Sequence, residues 1–359
     1  MEDIPMYNFT VKSVIHDYEV QFINDFGKTL NDELKDGDFL IVDNKIIELY
    51  AIHLSPLLEK YQYIGIDANE PQKSYHGIIP IIQTLIEKGF RKNHRLVAIG
   101  GGITQDVTAF ISSIIYRGVN WIFFPTSLLA QGDSCIGSKT SINFGEYKNQ
   151  IGGFYPPNQI FIYPGFIDTL TDSEMKSGMG EMLHYFIVSG KEDFEMYKNL
   201  YREAFHDKEI LSMIIARSLE IKKGYIEKDE FDQNIRQVFN YGHSFGHAIE
   251  TLTHYRIPHG IAVSFGMDMA NFISVKMGFI SEEIRNEIRV VTESIWQGYT
   301  INDIDLLFFI KALSKDKKNV GTKLGLILNK GYGNIFKNVM LADEKFTLWL
   351  KEYFTKYLN

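Results

Sequence analysis

The sequence has almost no cysteine: Cys135 is the single thiol among 359 residues. One cysteine excludes an internal disulfide framework and is typical of a reducing compartment, so we expect a cytoplasmic protein. No apolar run approaches the roughly 20 residues that cross a bilayer, and the acidic start MEDIPMYNFT lacks the features of a signal peptide. The chain also lacks an excess of basic residues. Its net charge of −8 provides no positive field to attract nucleic acid.

The length and the pattern of apolar residues predict two domains. Short β-rich runs at residues 39–42, 63–66, 96–99 and 121–124 alternate with helical patterns, which indicates an α/β domain with a mostly parallel sheet. From about Leu170 the apolar spacing becomes helical, apart from a β-like patch at residues 324–328. We therefore predict an α/β domain over residues 1–168 and a mostly α-helical domain over residues 169–359.

Four polar residues near the centre of the second half have helical spacing. Arg236, Asn240, His243 and His247 would share one face of a helix predicted over residues 234–253. The sequence places glycines at positions 242 and 246 of that helix, where each costs roughly 1 kcal/mol unless a close backbone or ligand approach requires it. Two imidazoles and a distant carboxylate are typical of an open zinc site, although a histidine pair on a surface would have the same spacing.

A second candidate site lies in the first half, where a predicted strand runs into Gly100-Gly101-Gly102. Backbone N–H groups in such a turn, at the start of a helix, can bind a phosphate. The spacing differs from the GxGxxG dinucleotide motif, and a tight turn explains the glycines equally well. Asp43, after an earlier strand, is suited either to bind ribose hydroxyls or to form a turn.

Further polar groups fit an anionic ligand but have ordinary alternatives. Residues 133–149 combine glycines and hydroxyls with Lys139, Lys148 and Asn149, as a substrate loop or a solvated loop would. Glu181 and His184 share a helix face, as metal ligands or as a stabilising surface pair. Lys222 and the run at residues 315–318 are equally typical of solvated surface.

Together these segments resemble the 3-dehydroquinate synthases and the wider sugar-phosphate cyclase family. The motifs that carry the resemblance are GGGITQDVTAF, YRGVNWIFFPTSLLAQGDSCIGSKTSINFGEYKNQIGGFY, SGMGEMLHYF and NIRQVFNYGHSFGHAIE with the following PHG. It extends from about Glu70 to Lys318 in unbroken order. The resemblance implies a Rossmann-like NAD-binding domain, a helical metal-binding domain and a homodimer.

The resemblance also implies a role for individual residues. The implied metal ligands are Glu181, His243 and His259, usually for zinc or else cobalt. The implied NAD contacts are Asp43, Glu70, Lys73, Gly101, Gly102, Asp106, Thr126 and Ser127. The implied catalytic residues are Asp133, Lys139, Lys222, Arg236, Asn240 and His247. The implied substrate-binding residues are Arg117 (toward the partner subunit), Lys148, Asn149, His184 and Lys318.

The implied reaction converts DAHP, a seven-carbon sugar-acid phosphate, into a carbocycle with loss of phosphate, a step of the shikimate pathway to aromatic amino acids. Bound NAD oxidises a substrate hydroxyl and later returns the hydride, while the metal polarises the oxygen. NAD is regenerated in each turnover. The enzyme would be a carbon–oxygen lyase acting on a phosphate.

The sequence departs from the family pattern in three places. His184 stands where a lysine usually faces the substrate, Tyr163-Pro164 replaces Asp-Thr, and Ser127 replaces threonine. Arg236 and Asn240, in contrast, favour the dehydroquinate-type substrate. Another cyclase, acting on sedoheptulose 7-phosphate or a hexose phosphate, is the alternative. A metal-dependent NAD alcohol dehydrogenase and a binding protein without activity are further alternatives.

Overall fold

The computed structural model describes residues 7–145, 147–315, 319 and 323–357. These residues form two compact units. The first contains the residues up to Leu170 and Leu211–Phe231; the second contains Thr171–Ile210 and the residues from Asp232 onward. The first division lies close to the predicted boundary, but Leu211–Phe231 belongs to the first unit rather than to the predicted helical domain. No helix in the described part of the chain is both long and apolar enough to cross a membrane.

The regular elements follow in chain order. The strands are β1 (Phe9–Val11), β2 (Tyr18–Phe22), β3 (Phe39–Asp43), β4 (Gln62–Ile66), β5 (Leu96–Gly100), β6 (Trp121–Pro125), β7 (Lys139–Phe144), β8 (Tyr147–Phe154), β9 (Gln159–Ile162), β10 (Lys323–Asn329) and β11 (Ile335–Leu341). The helices are α1 (Phe26–Glu33), α2 (Asn44–Leu49), α3 (Ala51–Lys60), α4 (Tyr75–Glu87), α5 (Gly102–Ile114), α6 (Asp172–Ser189), α7 (Lys191–Leu200), α8 (Lys208–Ile226), α9 (His243–Leu252), α10 (His259–Lys276), α11 (Glu282–Trp296), α12 (Leu306–Leu313) and α13 (Glu344–Tyr357).

The first unit is built on a seven-stranded sheet with the order β1-β2-β9-β6-β5-β3-β4. The β1–β2 pair is antiparallel, and the other neighbours are parallel. Every residue of β5 and β6 is buried, as expected for parallel strands that are covered on both faces. On one face, Val42 and Ile99 pack with Phe26 of α1 and Leu54 of α3. The prediction of an α/β unit with a mostly parallel sheet is confirmed.

The carboxyl ends of the parallel strands lie together at one end of this sheet. The chain leaves β3 toward β4 on one side and leaves the adjacent β5 toward β6 on the other. A change of direction between neighbouring strands opens a crevice in α/β sheets, where ligands commonly bind. Asp43 ends β3, and Gly101 and Gly102 follow β5. These residues therefore lie at the crevice of the first unit.

Hydrogen bonds to distant residues place Leu211–Phe231 in the first unit. The Ser218 hydroxyl donates to the carbonyl of Gly132 at 2.8 Å. The buried Glu230 carboxylate accepts from the hydroxyls of Ser13 and Ser138, both at 2.7 Å. Because these partners are 86 to 217 residues away in sequence, the local spacing of apolar residues cannot predict these hydrogen bonds.

The second unit is organised around α10, whose residues from Gly260 to Ser274 are all buried. A helix that is buried on every side lies in the centre of a helical bundle, and α6, α9 and α11 pack against α10. The hairpin of β10 and β11 also belongs to this unit. The predicted β-like patch is β10, whereas β11 was not predicted, although its alternating exposure is typical of a strand with one solvent face.

Candidate active site

Three helices of the second unit carry the predicted metal ligands. Glu181 lies in the middle of α6, which begins with the predicted capping box of Thr171 and Glu174. His243 is the first residue of α9, and His259 is the first residue of α10. Two of the three ligands are the first residues of their helices, so the points at which α9 and α10 begin determine the geometry of the cluster.

Glycines allow these helices to approach each other closely. A Cβ at Gly260 would lie 1.8 Å from the carbonyl oxygen of Ser177, and a Cβ at Gly180 would lie 2.3 Å from the carbonyl oxygen of Gly260. α9 meets α10 in the same way, because a Cβ at Gly246 would lie 3.0 Å from the Cα of Val263. The glycine predicted to need a close backbone approach therefore has one, against α10.

The predicted helix over residues 234–253 is wrong in its first half. Residues Ile235–Asn240 form a 3-10 turn, and α9 begins only at His243. The break lies at Gly242, whose φ of 82° is in the left-handed region that glycine adopts without strain. Arg236 and Asn240 therefore do not share a helix face with His243 and His247.

The imidazoles of His243 and His259 both point at the buried Glu181 carboxylate. His243 Nε2 is 3.3 Å from Glu181 Oε1, and His259 Nε2 is 3.3 Å from Glu181 Oε2. One ligand atom from each residue lies within 4.8 Å of the others. Ligand atoms at about 2.0–2.1 Å from a tetrahedral zinc are roughly 3.3 Å apart. The separations of these groups therefore fit a single divalent cation.

The other ring nitrogens of both histidines face hydrogen-bond acceptors. His243 Nδ1 is 3.2 Å from the carbonyl oxygen of Tyr241, and His259 Nδ1 is 3.0 Å from Glu250 Oε2. An acceptor at Nδ1 favours the tautomer in which Nδ1 carries the proton and the lone pair of Nε2 is available. Both imidazoles are thus oriented as Nε2 ligands.

The carboxylates and imidazoles of the cluster shift each other's pKa values. Burial raises the pKa of Glu181, but the imidazoles of His243 and His259 outweigh burial and bring that pKa well below its ordinary value. Burial lowers the pKa of His259, but Glu250 and Glu181 outweigh it and bring that pKa well above the ordinary value. Among the described residues, buried Glu181 Oε2 has no hydrogen-bond partner, which a metal ion would satisfy.

Two further predicted residues line the same cluster. The ring centroid of His247 lies 5.6 Å from those of both His243 and His259, and its side chain is exposed. His184 is buried, with Nδ1 3.9 Å from Glu181 Oε1 and its ring edge-on to His243 at 5.4 Å. His184, one of the residues that depart from the family pattern, therefore lies directly beside the predicted ligands.

The remaining predicted residues of the second unit are Arg236, Asn240 and Lys318. Arg236 is buried on the 3-10 turn, and Asn240 donates its amide to the carbonyl of Gln237 at 3.1 Å. Lys318 lies outside the described residues. The substrate roles of these three residues therefore stay predictions.

A polar cluster of the first unit unites five predicted residues around one that was not predicted. Asn143 of β7 donates its amide to Glu70 Oε2 at 2.6 Å, accepts from the backbone N–H of Asn149 at 3.0 Å, and donates its own N–H to the carbonyl of Lys73 at 2.8 Å. Lys148 Nζ lies 2.8 Å from Glu70 Oε1. Asn143 is thus the centre of this cluster.

Ion pairs set the charges in this cluster. The buried Lys73 ammonium lies 2.5 Å from Asp106 Oδ2. Burial raises the pKa of Asp106 despite that pairing. Burial also raises the pKa of Glu70, but Lys148 and Asn143 outweigh it and bring that pKa below its ordinary value.

A second pair of predicted residues in the first unit is Lys222 of α8 and Asp133. Lys222 Nζ donates to Asp133 Oδ1 at 2.8 Å and to the carbonyl oxygen of Asp133 at 2.6 Å. Lys222 is buried, whereas Lys139 and Arg117 are exposed. The structure therefore joins Lys222 to Asp133 and leaves Lys139 and Arg117 facing solvent.

The predicted NAD contacts at the carboxyl ends of β3, β5 and β6 also contact residues nearby in the chain or in the sheet. Asp43 caps α2 by accepting from the backbone N–H of Lys45 at 3.0 Å. Gly101 is the N-cap of α5, and a Cβ there would lie 3.3 Å from Ser127 Oγ. Thr126 is buried and donates its N–H to the carbonyl of Gly100 at 3.0 Å. Gly102 has open space where a Cβ would be, so a ligand can approach the start of α5.

Two residues that contact the predicted sites were missed from the sequence. Glu250 lies seven residues after His243 and three after His247, so helical spacing alone could have found it. Asn143 has no such signal, because its partners come from a strand pairing and from a distant loop.

The sequence matches one family over most of its length. Residues 63–177 match the 3-dehydroquinate synthase N-terminal domain, and residues 178–319 match the 3-dehydroquinate synthase C-terminal domain. A 3-dehydroquinate synthase of Alkaliphilus metalliredigens is 33% identical over 322 residues, which cover 89% of this chain and 90% of that protein. The chain belongs to the 3-dehydroquinate synthase family. The predictions of this family and of an enzyme of the dehydroquinate synthase type are confirmed.

Two solved structures share the fold of nearly the whole chain. A 2-deoxy-scyllo-inosose synthase complexed with carbaglucose-6-phosphate, NAD+ and Co2+ has a TM-score of 0.84 at 20% identity, covering 97% of this chain and 99% of that one. A 2-epi-5-epi-valiolone synthase from Streptomyces hygroscopicus subsp. jinggangensis with NAD+ and Zn2+ bound has a TM-score of 0.84 at 21% identity, covering 95% and 97%. These likenesses confirm the predicted dehydroquinate synthase-like fold.

Proposed function

We propose that this member of the 3-dehydroquinate synthase family converts DAHP into 3-dehydroquinate with loss of phosphate, using catalytic NAD and one divalent metal ion. The observation that carries the proposal is the cluster of Glu181, His243 and His259. Its two imidazoles are oriented as Nε2 ligands, and the oxygens of its buried carboxylate face them at 3.3 Å. One carboxylate and two imidazoles form the donor set of many catalytic zinc sites, so we propose zinc, with cobalt as a substitute.

The second part of the proposal is the NAD site in the first unit. Gly101 and Gly102 offer backbone N–H groups at the start of α5, where the helix dipole favours a pyrophosphate. Asp43 ends β3, the strand paired with β5, and its carboxylate is suited to bind ribose hydroxyls. The NAD+ bound in the two cyclases of the same fold supports this assignment. Bound NAD and metal would supply hydride transfer and polarisation of a substrate oxygen.

The chain's own residues would hold the anionic substrate in one pose through several steps. Arg236 is suited to the substrate carboxylate, because a guanidinium binds a carboxylate through two parallel hydrogen bonds. The exposed Lys139 and the partly exposed Lys148 are suited to phosphate. His247, exposed beside the ligand cluster, is suited to hold or move a proton at its ring nitrogen. The ammonium of Lys222, 2.8 Å from Asp133 Oδ1, would hold the carboxylate of Asp133 in place.

We propose further that the enzyme is a cytoplasmic homodimer in which Arg117 binds the phosphate held by the partner subunit. Arg117 is exposed and has a φ of 61°. A non-glycine residue in the left-handed region is uncommon and is often found where function requires a particular direction of the side chain. The buried thiol of Cys135 suits a reducing compartment.

A phosphate-release assay tests the function directly. We expect the purified enzyme with NAD and zinc to release phosphate from DAHP without a net rise in absorbance at 340 nm. A steady rise in NADH would instead indicate an alcohol dehydrogenase. Faster release from sedoheptulose 7-phosphate or a hexose phosphate would indicate another cyclase, an alternative that is raised by the histidine at position 184.

Replacing one proposed ligand separates the metal from the cofactor. We expect His259→Ala to abolish phosphate release and to leave NAD affinity within about twofold of the wild type, because the proposed NAD contacts belong to the other unit. Isothermal titration measures NAD binding. Phosphate release at the wild-type rate by His259→Ala would show that the ligand assignment is wrong.

A further inference from the structure

Glu250 is a largely shielded carboxylate beside the proposed metal site, and it has no place in the proposed ligand set. It lies in the last turn of α9, and its side chain is only 12% exposed. Its Oε2 is 3.0 Å from His259 Nδ1, on the side of the imidazole opposite the nitrogen that faces Glu181. A carboxylate at this depth needs a partner, and the ring of His259 provides one.

His259 depends on such a contact more than the other histidine ligand does. Its side chain is 31% exposed, against 12% for His243, so packing restricts its ring less. Like His243, it is the first residue of its helix, so few neighbouring turns confine its rotamer. The hydrogen bond to Glu250 therefore supplies orientation that packing provides for His243.

The two ligands also differ in the acceptor behind them. His243 Nδ1 faces the neutral carbonyl of Tyr241, whereas His259 Nδ1 faces a carboxylate. An ionised acceptor forms a stronger hydrogen bond than a neutral one and increases the electron density at the far nitrogen. The stronger of the two Nδ1 hydrogen bonds is thus made by His259, the more exposed ligand.

We propose that Glu250 is a positioning residue, whose carboxylate holds His259 in the tautomer and ring orientation that present Nε2 to the cation. Glu250 sets the affinity of the site without touching the ion. The inference rests on the proposed function in one respect, namely that Glu181, His243 and His259 bind a divalent metal.

The same side chains permit a competing arrangement. Ligand atoms of His247, Glu250 and His259 also lie within 4.8 Å of one another, so Glu250 could itself bind an ion. In that case the wild type would hold two ions, and replacement of His247 would release one of them. In the proposed arrangement the wild type holds one ion, and His247→Ala leaves its affinity nearly unchanged.

The test is a titration of chelator-treated protein with zinc against a chromophoric competitor, for the wild type and two substitutions at one position. We expect Glu250→Ala to weaken zinc binding by about 10- to 100-fold. We expect Glu250→Gln to weaken it by less, because the amide oxygen still accepts from Nδ1–H. The melting temperature of each metal-free variant shows whether it is folded, and Glu250→Gln keeps the test decisive if Glu250→Ala does not fold.

Asp303→Asn is the matched control. Asp303 forms an exposed ion pair at 2.9 Å with Arg256, three residues before His259, and contacts no proposed ligand. We expect this variant to bind zinc like the wild type. Zinc affinity unchanged in a folded Glu250→Ala, or the loss of one of two ions, would overturn the inference. If the wild type bound no zinc, the proposed metal site itself would fail, which is a distinguishable result.

Discussion

The crossing of α6 and α10 can be tested with one methyl group. In Gly260→Ala the new Cβ would lie 1.8 Å from the carbonyl oxygen of Ser177 and 2.9 Å from the backbone nitrogen of Glu181. Ordinary contact begins at 3.4 Å, so the two backbones must separate by roughly 1.5 Å. Neither neighbour is a flexible side chain that can rotate away. The helices that carry His259 and Glu181 must therefore move apart.

Two quantities should respond to this movement. Overpacking costs about 1–3 kcal/mol, and the better helix propensity of alanine offsets up to about 1 kcal/mol, so we expect a net loss of about 1–2 kcal/mol in the free energy of unfolding. Metal sites tolerate errors of only about 0.2 Å in ligand distance, so we expect zinc affinity to fall by at least roughly tenfold. Urea denaturation and competitive zinc titration measure the two effects.

Gly224→Ala is the matched control for this prediction. Gly224 is exposed within α8, and nothing lies within 4 Å of the position of its Cβ. We expect a gain of up to about 1 kcal/mol from helix propensity and no change in zinc affinity. If Gly260→Ala were as stable as the wild type and bound zinc equally well, the close crossing of α6 and α10 would be refuted.

The remaining predictions concern the first unit. Gly102→Ala should leave stability unchanged, because its Cβ meets open space, but should weaken NAD binding measured by calorimetry at least tenfold; unchanged NAD binding would contradict the proposed approach at α5. Burial raises the pKa of the Cys135 thiol to about 12, so at pH 8 the thiol should react with a disulfide reagent only after denaturation, and rapid native labelling would contradict its burial. Lys222→Met should cost about 2 kcal/mol in urea denaturation, because it removes the shielded ammonium that pairs with Asp133 at 2.8 Å. Lys223→Met removes a looser and more exposed pair at 3.8 Å and should cost less than about 0.5 kcal/mol. Equal costs for the two lysines would contradict this difference.

The sequence predicts those features of the fold that depend on local pattern. Strands β5 and β6 are short apolar runs, and the capping box of Thr171 and Glu174 marks the start of α6 in the sequence. The helix predicted through Gly242 fails for a physical reason. Spacing alone cannot show that this glycine adopts a φ of 82° and separates a 3-10 turn from α9.

The candidate sites divide in a similar way. Glu181 and His243 could be named from motifs, but their separation depends on backbone contacts of α10 with α6 and α9, which no spacing rule contains. Glu250 was within reach of helical spacing, whereas Asn143 was not. The assignment of Leu211–Phe231 to the first unit depends on hydrogen bonds such as that between Ser13 and Glu230, 217 residues apart.

The amide of Asn143 has a consequence for how the first unit can vary. Its nitrogen is committed to Glu70 and its oxygen to the N–H of Asn149, so the two ends of one planar group are engaged at once. Aspartate would set a second negative charge against Glu70, and leucine would satisfy neither side. One rigid side chain therefore connects the β7–β8 hairpin to Glu70. A movement of the hairpin that rotates the Asn143 amide would also move the Glu70 carboxylate.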